Sequence, residues 1–456
     1  MFSLREAFGW LDRARLIGDG SAVVRDVCTD TRALTPGCLF VALRGERFDA
    51  NEFVAQAFGE GAAAVMCDRC VEGTRAPALI VPDSRRALGE MGRGWRGRFE
   101  LPLIAVTGSN GKTTVKEMIS AILACHVGES ARLATTGNLN NEIGVPLTLF
   151  RLSPAHRVAV LELGMNRPGE IAWLAEIAKP TVSLVNNAQR EHQEFLGSIE
   201  ATARENGAAI SALGADGIAV YPGDDACAPI WRELAGGRSR VEFGLGDGFE
   251  VRAAADAMPD GFALGVGATT RDVSLAIDGA HNVRNALAAA ACAHAVGVGV
   301  DTIVAGLAGF RPVRGRMARL NCSTGATLID DSYNANPDSV RAAVDVLAGA
   351  GHPRVLVLGD MGEVGEQGPQ YHREVGLYAA QRGVDHLLAL GEATRDTASA
   401  FGAGAEHFDD IETLCRRALA LARPGACLLV KGSRFMRMER VVAALVRRAE
   451  TAEAVH

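Results

Sequence analysis

The sequence predicts an α/β chain of three domains, two of them built on parallel sheets covered by helices. Three observations predict it. The length of 456 residues suits about three domains at ~100–200 residues each. Two series of short apolar runs, each closed by glycine or polar residues, alternate with helical stretches, the pattern of sheets buried on both faces. A basic, glycine-rich stretch before residue 100 and the RPVRGRM stretch after Phe310 interrupt these series. They set the expected domains at 1–100, 101–310 and 311–456.

In the first domain, TDTRALTPGCLFVAL (29–43) has a turn at Pro36-Gly37 and then a strand-like run. RRALGEMGRGWRGRF (85–99) reads as a helix giving way to a linker. The second domain carries the runs LIAVTG (103–108), VAVLELG (158–164), VSLVNN (182–187) and GIAVYPG (217–223). A helix from Thr113 places Val115, Met118, Ile119 and Ile122 at helical spacing. DGAHNVRNALAAAACAHAVG (278–297) is a second, alanine-rich helix. In the third domain ATLIDDS (326–332), RVLVLGD (354–360), HLLALGE (386–392) and ACLLVKGS (426–433) predict a doubly wound, Rossmann-like sheet.

Composition excludes several classes. With 48% hydrophobic and 22% charged residues, the chain buries ordinary globular cores. A net charge of -7 argues against nucleic-acid binding, which relies on clustered Lys and Arg. The absence of an apolar run of ~18 residues argues against membrane insertion. The start MFSLREAFGW lacks the pattern of a signal peptide, so a cytoplasmic location is expected. Of ten cysteines only Cys67 and Cys70 form a C-x-x-C pair, and without a second pair reduced thiols are expected rather than zinc. Only Lys112, Lys116, Lys179 and Lys431 are lysines among 47 basic residues. Where arginine is the default cation, a lysine can mark a site that needs a compact ammonium.

The strongest local signal is TGSNGKTT, Thr107 to Thr114. It lacks the spacing G-x-x-x-x-G-K-[ST], because Val106 stands where the first glycine belongs. It nevertheless follows a predicted strand and opens a predicted helix. Gly108 and Gly111 can turn backbone N–H groups toward phosphate oxygens, and the helix N-terminus favours negative charge. Lys112 would reach the outer phosphates, and the Thr113 hydroxyl would ligate Mg²⁺. Glu162 and His192 follow the next strands and are further metal candidates. A solvated loop also carries such residues, and local chemistry does not name a reaction.

Together these stretches resemble the Mur ligases of peptidoglycan synthesis, whose phosphate loop has this shortened form. The matching stretches are TDTR (29–32), PGCLFVALRGERFDA (36–50), TGNLNNEIGVP (136–146), ELGMN (162–166), HNVRNALAA (281–289), DDSYNANPDS (330–339), GDMGEVG (359–365) and KGSRFMRME (431–439). The resemblance implies a central P-loop-type ATPase domain between a UDP-substrate-binding domain and the Rossmann-like one. It implies ATP and Mg²⁺ as cofactors and activation of a carboxylate as an acyl phosphate, which an amine converts to an amide. DDSYNANP, GDMGE and KGSRFMRME are similar to the branch that adds D-alanyl-D-alanine to UDP-N-acetylmuramoyl-tripeptide, and a monomer is expected.

Carried over by position, Lys112, Glu162 and His192 are the catalytic set, with Thr113, Glu162 and His192 on the metal. Thr107, Gly108, Ser109, Asn110, Gly111, Lys112, Thr113 and Thr114 would hold the nucleotide phosphates. Asn285 would read adenine, and Arg316 and Asp331 would bring the last domain onto the nucleotide. Thr31 and Arg32 would meet uridine; Asn138, Asn140 and Asn141 the sugar–peptide; and Tyr333, Asn334, Asn336, Lys431 and Arg434 the dipeptide.

Two departures stand out. The family's carbamylated lysine is expected near residue 206, but EATARENGAAI (200–210) has Asn206 there, and no lysine occurs between Lys179 and Lys431. A second Mg²⁺ is then expected on His192, substrate oxygens and water, with Glu205 nearby. Ala50-Asn51 also replaces the Gly-His of relatives. Two other readings remain open at this point. One is an amino-acid- or glutamate-adding ligase of the folylpolyglutamate type. The other is a nucleotide-binding regulator without ligase chemistry, although the N-K-x-D guanine motif is absent.

Overall fold

The computed structural model describes residues 1–45, 48–69 and 77–446. Glu46 and Arg47 of the uridine-type segment, and Cys70 of the C-x-x-C pair, lie outside the described residues. The chain forms three α/β units in sequence.

The N-terminal unit has a five-stranded sheet. Its strands Asp26–Cys28, Cys38–Val41, Ala64–Cys67 and Ala78–Ile80 run parallel, and Arg15–Ile17 closes the edge antiparallel. Gly37 takes a left-handed φ of 85°, so the Pro36-Gly37 turn leads into a strand as expected. The helix Ser84–Arg96 follows, with Asp83 accepting from the N–H groups of Arg85 and Arg86 at its start. It gives way to a short connection at Gly97, as expected, and its inner glycines serve packing. A Cβ on Gly89 would come within 2.7 Å of Trp173, and one on Gly92 within 2.9 Å of Pro146, so the glycines let the helix press against the central unit. Buried Arg96 then donates to the carbonyls of Ala178 and Leu101, tying the connection down.

The central unit has a nine-stranded sheet. Seven strands are parallel, in the order Val251–Ala253, Ser239–Leu245, Ile218–Pro222, Val182–Val185, Leu103–Thr107, Val158–Glu162 and Arg132–Ala134. Phe262–Val266 and Thr269–Val273 extend it antiparallel. The sequence's four apolar runs are the middle of this sheet. The edge strands Arg132–Ala134, only three residues long, and Thr269–Val273, mostly exposed, gave no comparable signal. Helix Lys112–Val127 buries Val115, Met118, Ile119 and Ile122, the predicted stripe. Helix Ala280–Ala295 buries nearly every side chain from Asn282 to Ala293. Alanine suits it because small side chains allow packing on all sides.

The C-terminal unit has a six-stranded sheet ordered Ala318–Asn321, Thr327–Asp331, Cys427–Lys431, Arg354–Gly359, His386–Leu390 and Ala405–Phe408. All neighbours are parallel except the first pair. Helices such as Pro337–Ala348 and Gly368–Gln381 cover it.

Candidate active site

Register decides where the chemistry gathers. Leu103–Thr107 lies between Val158–Glu162 and Val182–Val185, with Glu162 paired to Val106 and Val185 to Thr107. The glycine loop, Glu162 and the 186–192 loop therefore leave one edge of the sheet side by side, where open α/β sheets place their sites. A cleft of about 1110 Å³ opens there, between the central and C-terminal units. Its walls include residues 109–114, Asn138, Asn140, Asn141, Glu162, His192, Asn285, Arg316, Asp331, Tyr333, Asn334, Asn336, Lys431 and Arg434.

Four predicted residues stand apart from these walls. Thr107 is fully buried and donates to the Leu184 carbonyl, and the Gly108 N–H is held by Asn206; both support the loop from behind. Thr31 and Arg32 sit on the N-terminal unit, where exposed Arg32 pairs with Asp30. On the same unit Asn51 donates to Asp49, which caps the short helix Ala50–Phe53.

The loop is shaped for an anion. Gly108 and Gly111 have φ of 125° and 81°, conformations that cost any other residue strain. Helix Lys112–Val127 begins at Gly111 with no side-chain cap, which leaves its first-turn N–H groups for a ligand. Lys112 Nζ folds back to donate to the Gly108 carbonyl at 2.5 Å and the Ser109 carbonyl at 3.0 Å, and meets Glu191 at 3.2 Å. Arg316 reaches the Thr113 hydroxyl at 3.4 Å and stacks over Tyr333.

Glu162 is 2% exposed. Its Oε1 accepts from Asn140 at 2.8 Å, while its buried Oε2 has no protein partner. A buried, half-satisfied carboxylate oxygen at the cleft wall fits a bound cation. His192 adopts a left-handed φ of 51°, and its Nδ1 lies 2.6 Å from Glu363 Oε2 without hydrogen-bond alignment. The His192 ring holds the Glu363 carboxyl below its ordinary range, against the opposing effect of burial. Among the described residues no three His, Cys, Asp or Glu side chains converge into a preformed metal cage. Mg²⁺ commonly takes one or two carboxylates plus phosphate oxygens and water, so Thr113, Glu162 and His192 fit it as partial ligands.

Asn285 joins a buried amide chain: its Oδ1 accepts from Asn186 at 3.0 Å, and its Nδ2 donates to Asn282 at 2.8 Å. Asn141 caps the helix Gly144–Phe150 by accepting from the Gly144 N–H. Across the cleft, Lys431 Nζ bonds Asp331 at 2.5 Å and the Asn334 carbonyl at 2.9 Å. Asn336 pairs reciprocally with Asn110 of the glycine loop, with contacts of 2.9 and 3.3 Å. Arg434 lies over the other predicted residue, Tyr333, at 5.4 Å.

One expectation is corrected. Glu205 turns away from the cleft and accepts from the Gly169 and Ile171 N–H groups, capping the helix Glu170–Ala178. Its neighbour Asn206 is 1% exposed and accepts from the Gly108 N–H at 2.8 Å. At this position the chain has a brace for the phosphate loop.

Sequence reasoning missed Arg190 and Glu191. Arg190 crosses to the C-terminal unit, pairing with Asp338 at 2.5 Å and Glu374 at 2.8 Å. Glu191 meets Lys112. The available signal was their adjacency to His192 in AQREH.

Comparison with known proteins follows the same geometry. The Mur ligase middle domain matches residues 106–293, and the Mur ligase, glutamate ligase domain matches residues 315–434. The chain belongs to the Mur ligase family. It is 43% identical over 425 residues to the UDP-N-acetylmuramoyl-tripeptide–D-alanyl-D-alanine ligase of Escherichia coli (strain K12), covering 92% of this chain and 93% of that one. A crystal structure of MurF from Acinetobacter baumannii matches with a TM-score of 0.87 at 35% identity, covering 93% of both chains. MurF ligase from Thermotoga maritima in complex with ADP matches with a TM-score of 0.82 at 26% identity, over 93% of this chain and 98% of that one.

Proposed function

We propose that this Mur ligase is an ATP- and Mg²⁺-dependent enzyme that joins D-alanyl-D-alanine to UDP-N-acetylmuramoyl-tripeptide in the cytoplasm. One observation carries the reading: a single cleft is walled by the glycine loop, by the 138–141 asparagines and by the 331–336 segment. The 43% identical relative bears the name of this activity. Among the described residues no helix is long and apolar enough to cross a membrane. The proposed domains are 1–100, 101–310 and 311–456.

In this reading Lys112 and the first-turn N–H groups bind the triphosphate, and Asn285 faces the adenine side. Arg316 and Asp331 fasten the C-terminal unit over the nucleotide. Thr113, Glu162 and His192 hold magnesium, which when bound neutralises charge on the transferring phosphoryl group. Thr31 and Arg32 engage the uridine end. Asn138, Asn140 and Asn141 orient the muramoyl-peptide carboxylate. That carboxylate attacks the γ-phosphorus and ADP leaves. The dipeptide amine, oriented by Tyr333, Asn334, Asn336 and Arg434, attacks the acyl phosphate. Phosphate departs, the amine proton passes to solvent and an amide remains. Lys431 shapes this side by holding Asp331 and the Asn334 carbonyl. Asn110–Asn336 and Arg190–Asp338 hold the two units together, which shields the acyl phosphate from water.

Phosphate release tests the proposal: it is expected only with both the UDP-tripeptide and D-alanyl-D-alanine present. Release with neither present, or an acceptor screen that favours a single amino acid, would overturn it.

A further inference from the structure

Glu191 has no part in the mechanism so far, and its position raises a charge problem. Its side chain is 10% exposed and lines the cleft. Both carboxylate oxygens face the Lys112 ammonium, at 3.2 and 3.3 Å, and Oε1 lies 3.7 Å from His192 Nε2. Lys112 is also the ammonium that a bound triphosphate would draw away. A carboxylate this buried that loses its cation is costly by several-fold more than a surface one, because water does not replace the partner. The nucleotide itself brings more negative charge to the same wall. Something positive must take the place of Lys112.

We infer that Glu191 exchanges Lys112 for a divalent cation when nucleotide binds, and that Glu191 and His192 together hold the second cation of the site. The inference rests on the proposed ATP- and Mg²⁺-dependent reading. Three features support the exchange. Glu191 and His192 are consecutive and both line the cleft, with His192 at a left-handed φ of 51°. A carboxylate and an imidazole less than 4 Å apart suit two positions of one coordination sphere, with the remaining positions filled by phosphate, substrate oxygens and water. The segment is also fixed independently of Lys112: Arg190 is clamped by Asp338 and Glu374, and the Glu191 N–H donates to the Gln189 carbonyl at 2.8 Å. Glu191 can therefore change partner by rotating its side chain, without moving the loop. Glu205, which faces another helix, does not compete for this role.

The test counts cations directly, with Mn²⁺ as the probe and β,γ-methylene-ATP as a nucleotide that does not turn over. Electron paramagnetic resonance on the full chain with UDP-tripeptide should count two bound Mn²⁺ ions. In Glu191→Gln the weaker Mn²⁺ should bind roughly 10–100-fold less tightly, while the Mn²⁺ at Glu162 is retained. Glu191→Asp should recover part of the loss. If Glu191 only positions Lys112, Glu191→Gln will change the nucleotide Kd and leave both Mn²⁺ affinities at wild-type values, which overturns the inference. If the broader reading is wrong, the unmodified protein will show no Mn²⁺-dependent binding of the nucleotide analogue. Circular dichroism melting curves check that both variants are folded.

Discussion

Two lysine–carboxylate pairs face each other across the cleft, and they differ in kind. Lys431 and Asp331 are Cα partners at the ends of adjacent parallel strands, bonded at 2.5 Å, with side chains 4% and 12% exposed. Asp331 also accepts from the Met317 N–H, so the pair ties the entry of the C-terminal unit to its sheet. Lys112 and Glu191 come instead from a helix start and a loop, meet at 3.2 Å, and share the lysine with two backbone carbonyls. Similar charges at similar depth give a fixed brace where the backbone is held by a sheet. They give an exchangeable contact where one partner can rotate.

The largest effect should separate the two pairs by activity. Lys112→Ala is expected to lower kcat about 10²–10³-fold in a phosphate-release assay, with a smaller loss of melting temperature than Lys431→Met, because Glu191 can rotate toward His192 as a remaining partner. Lys431→Met should act the other way round on stability. Leaving Asp331 buried without its cation is expected to cost about 3–5 kcal/mol in denaturant unfolding, and the double variant Lys431→Met/Asp331→Asn should recover much of it. If both single variants shift stability equally, the distinction fails.

A smaller effect concerns the contact that brings the pairs together. Arg190→Ala removes the clamp on Asp338 and Glu374 and is expected to weaken docking of the C-terminal unit by roughly 1–3 kcal/mol, read as a larger radius of gyration in solution scattering. The Arg190 hydrogen bond lowers the Glu374 pKa from its ordinary 4.5, with Arg341 adding to it and burial opposing it. The folded carboxyl thus binds its proton less readily than the unfolded one. Its stabilising contribution is complete above 4.5 and is lost as pH falls through the lowered folded value. Scattering on acidification below 4.5 should show the units separating in the unmodified protein, and Arg190→Ala should lose that pH dependence. The smallest effect is Glu205→Ala. It should cost about 0.5–1 kcal/mol through the lost cap and leave Mg²⁺ dependence unchanged. A shifted Mg²⁺ requirement would return Glu205 to the metal.

Much of the fold was legible because buried parallel strands read as short apolar runs, and the eight runs of the two series, like the run after Pro36-Gly37, all form strands. The strands Arg132–Ala134, Val251–Ala253 and Thr269–Val273 were not, being short or half exposed. The 85–99 stretch is a helix that gives way to a connection at Gly97, as expected, but the role of its inner glycines was not legible. Glycine signals a linker locally, but Gly89 and Gly92 are small because Trp173 and Pro146 occupy the space beside them.

The sequence by itself determined that a glycine loop, a carboxylate and a histidine leave strand ends, because a strand, a turn and a helix start are local patterns. It also determined that no lysine stands near residue 206. Only the tertiary structure decided what faces what. Glu205 and Asn206 are neighbours, yet consecutive helix positions point about 100° apart. One therefore caps another helix while the other braces the phosphate loop. Glu191 gained its importance in the same way, because Lys112 is 79 residues distant in the chain and reaches it only once three strands are in register.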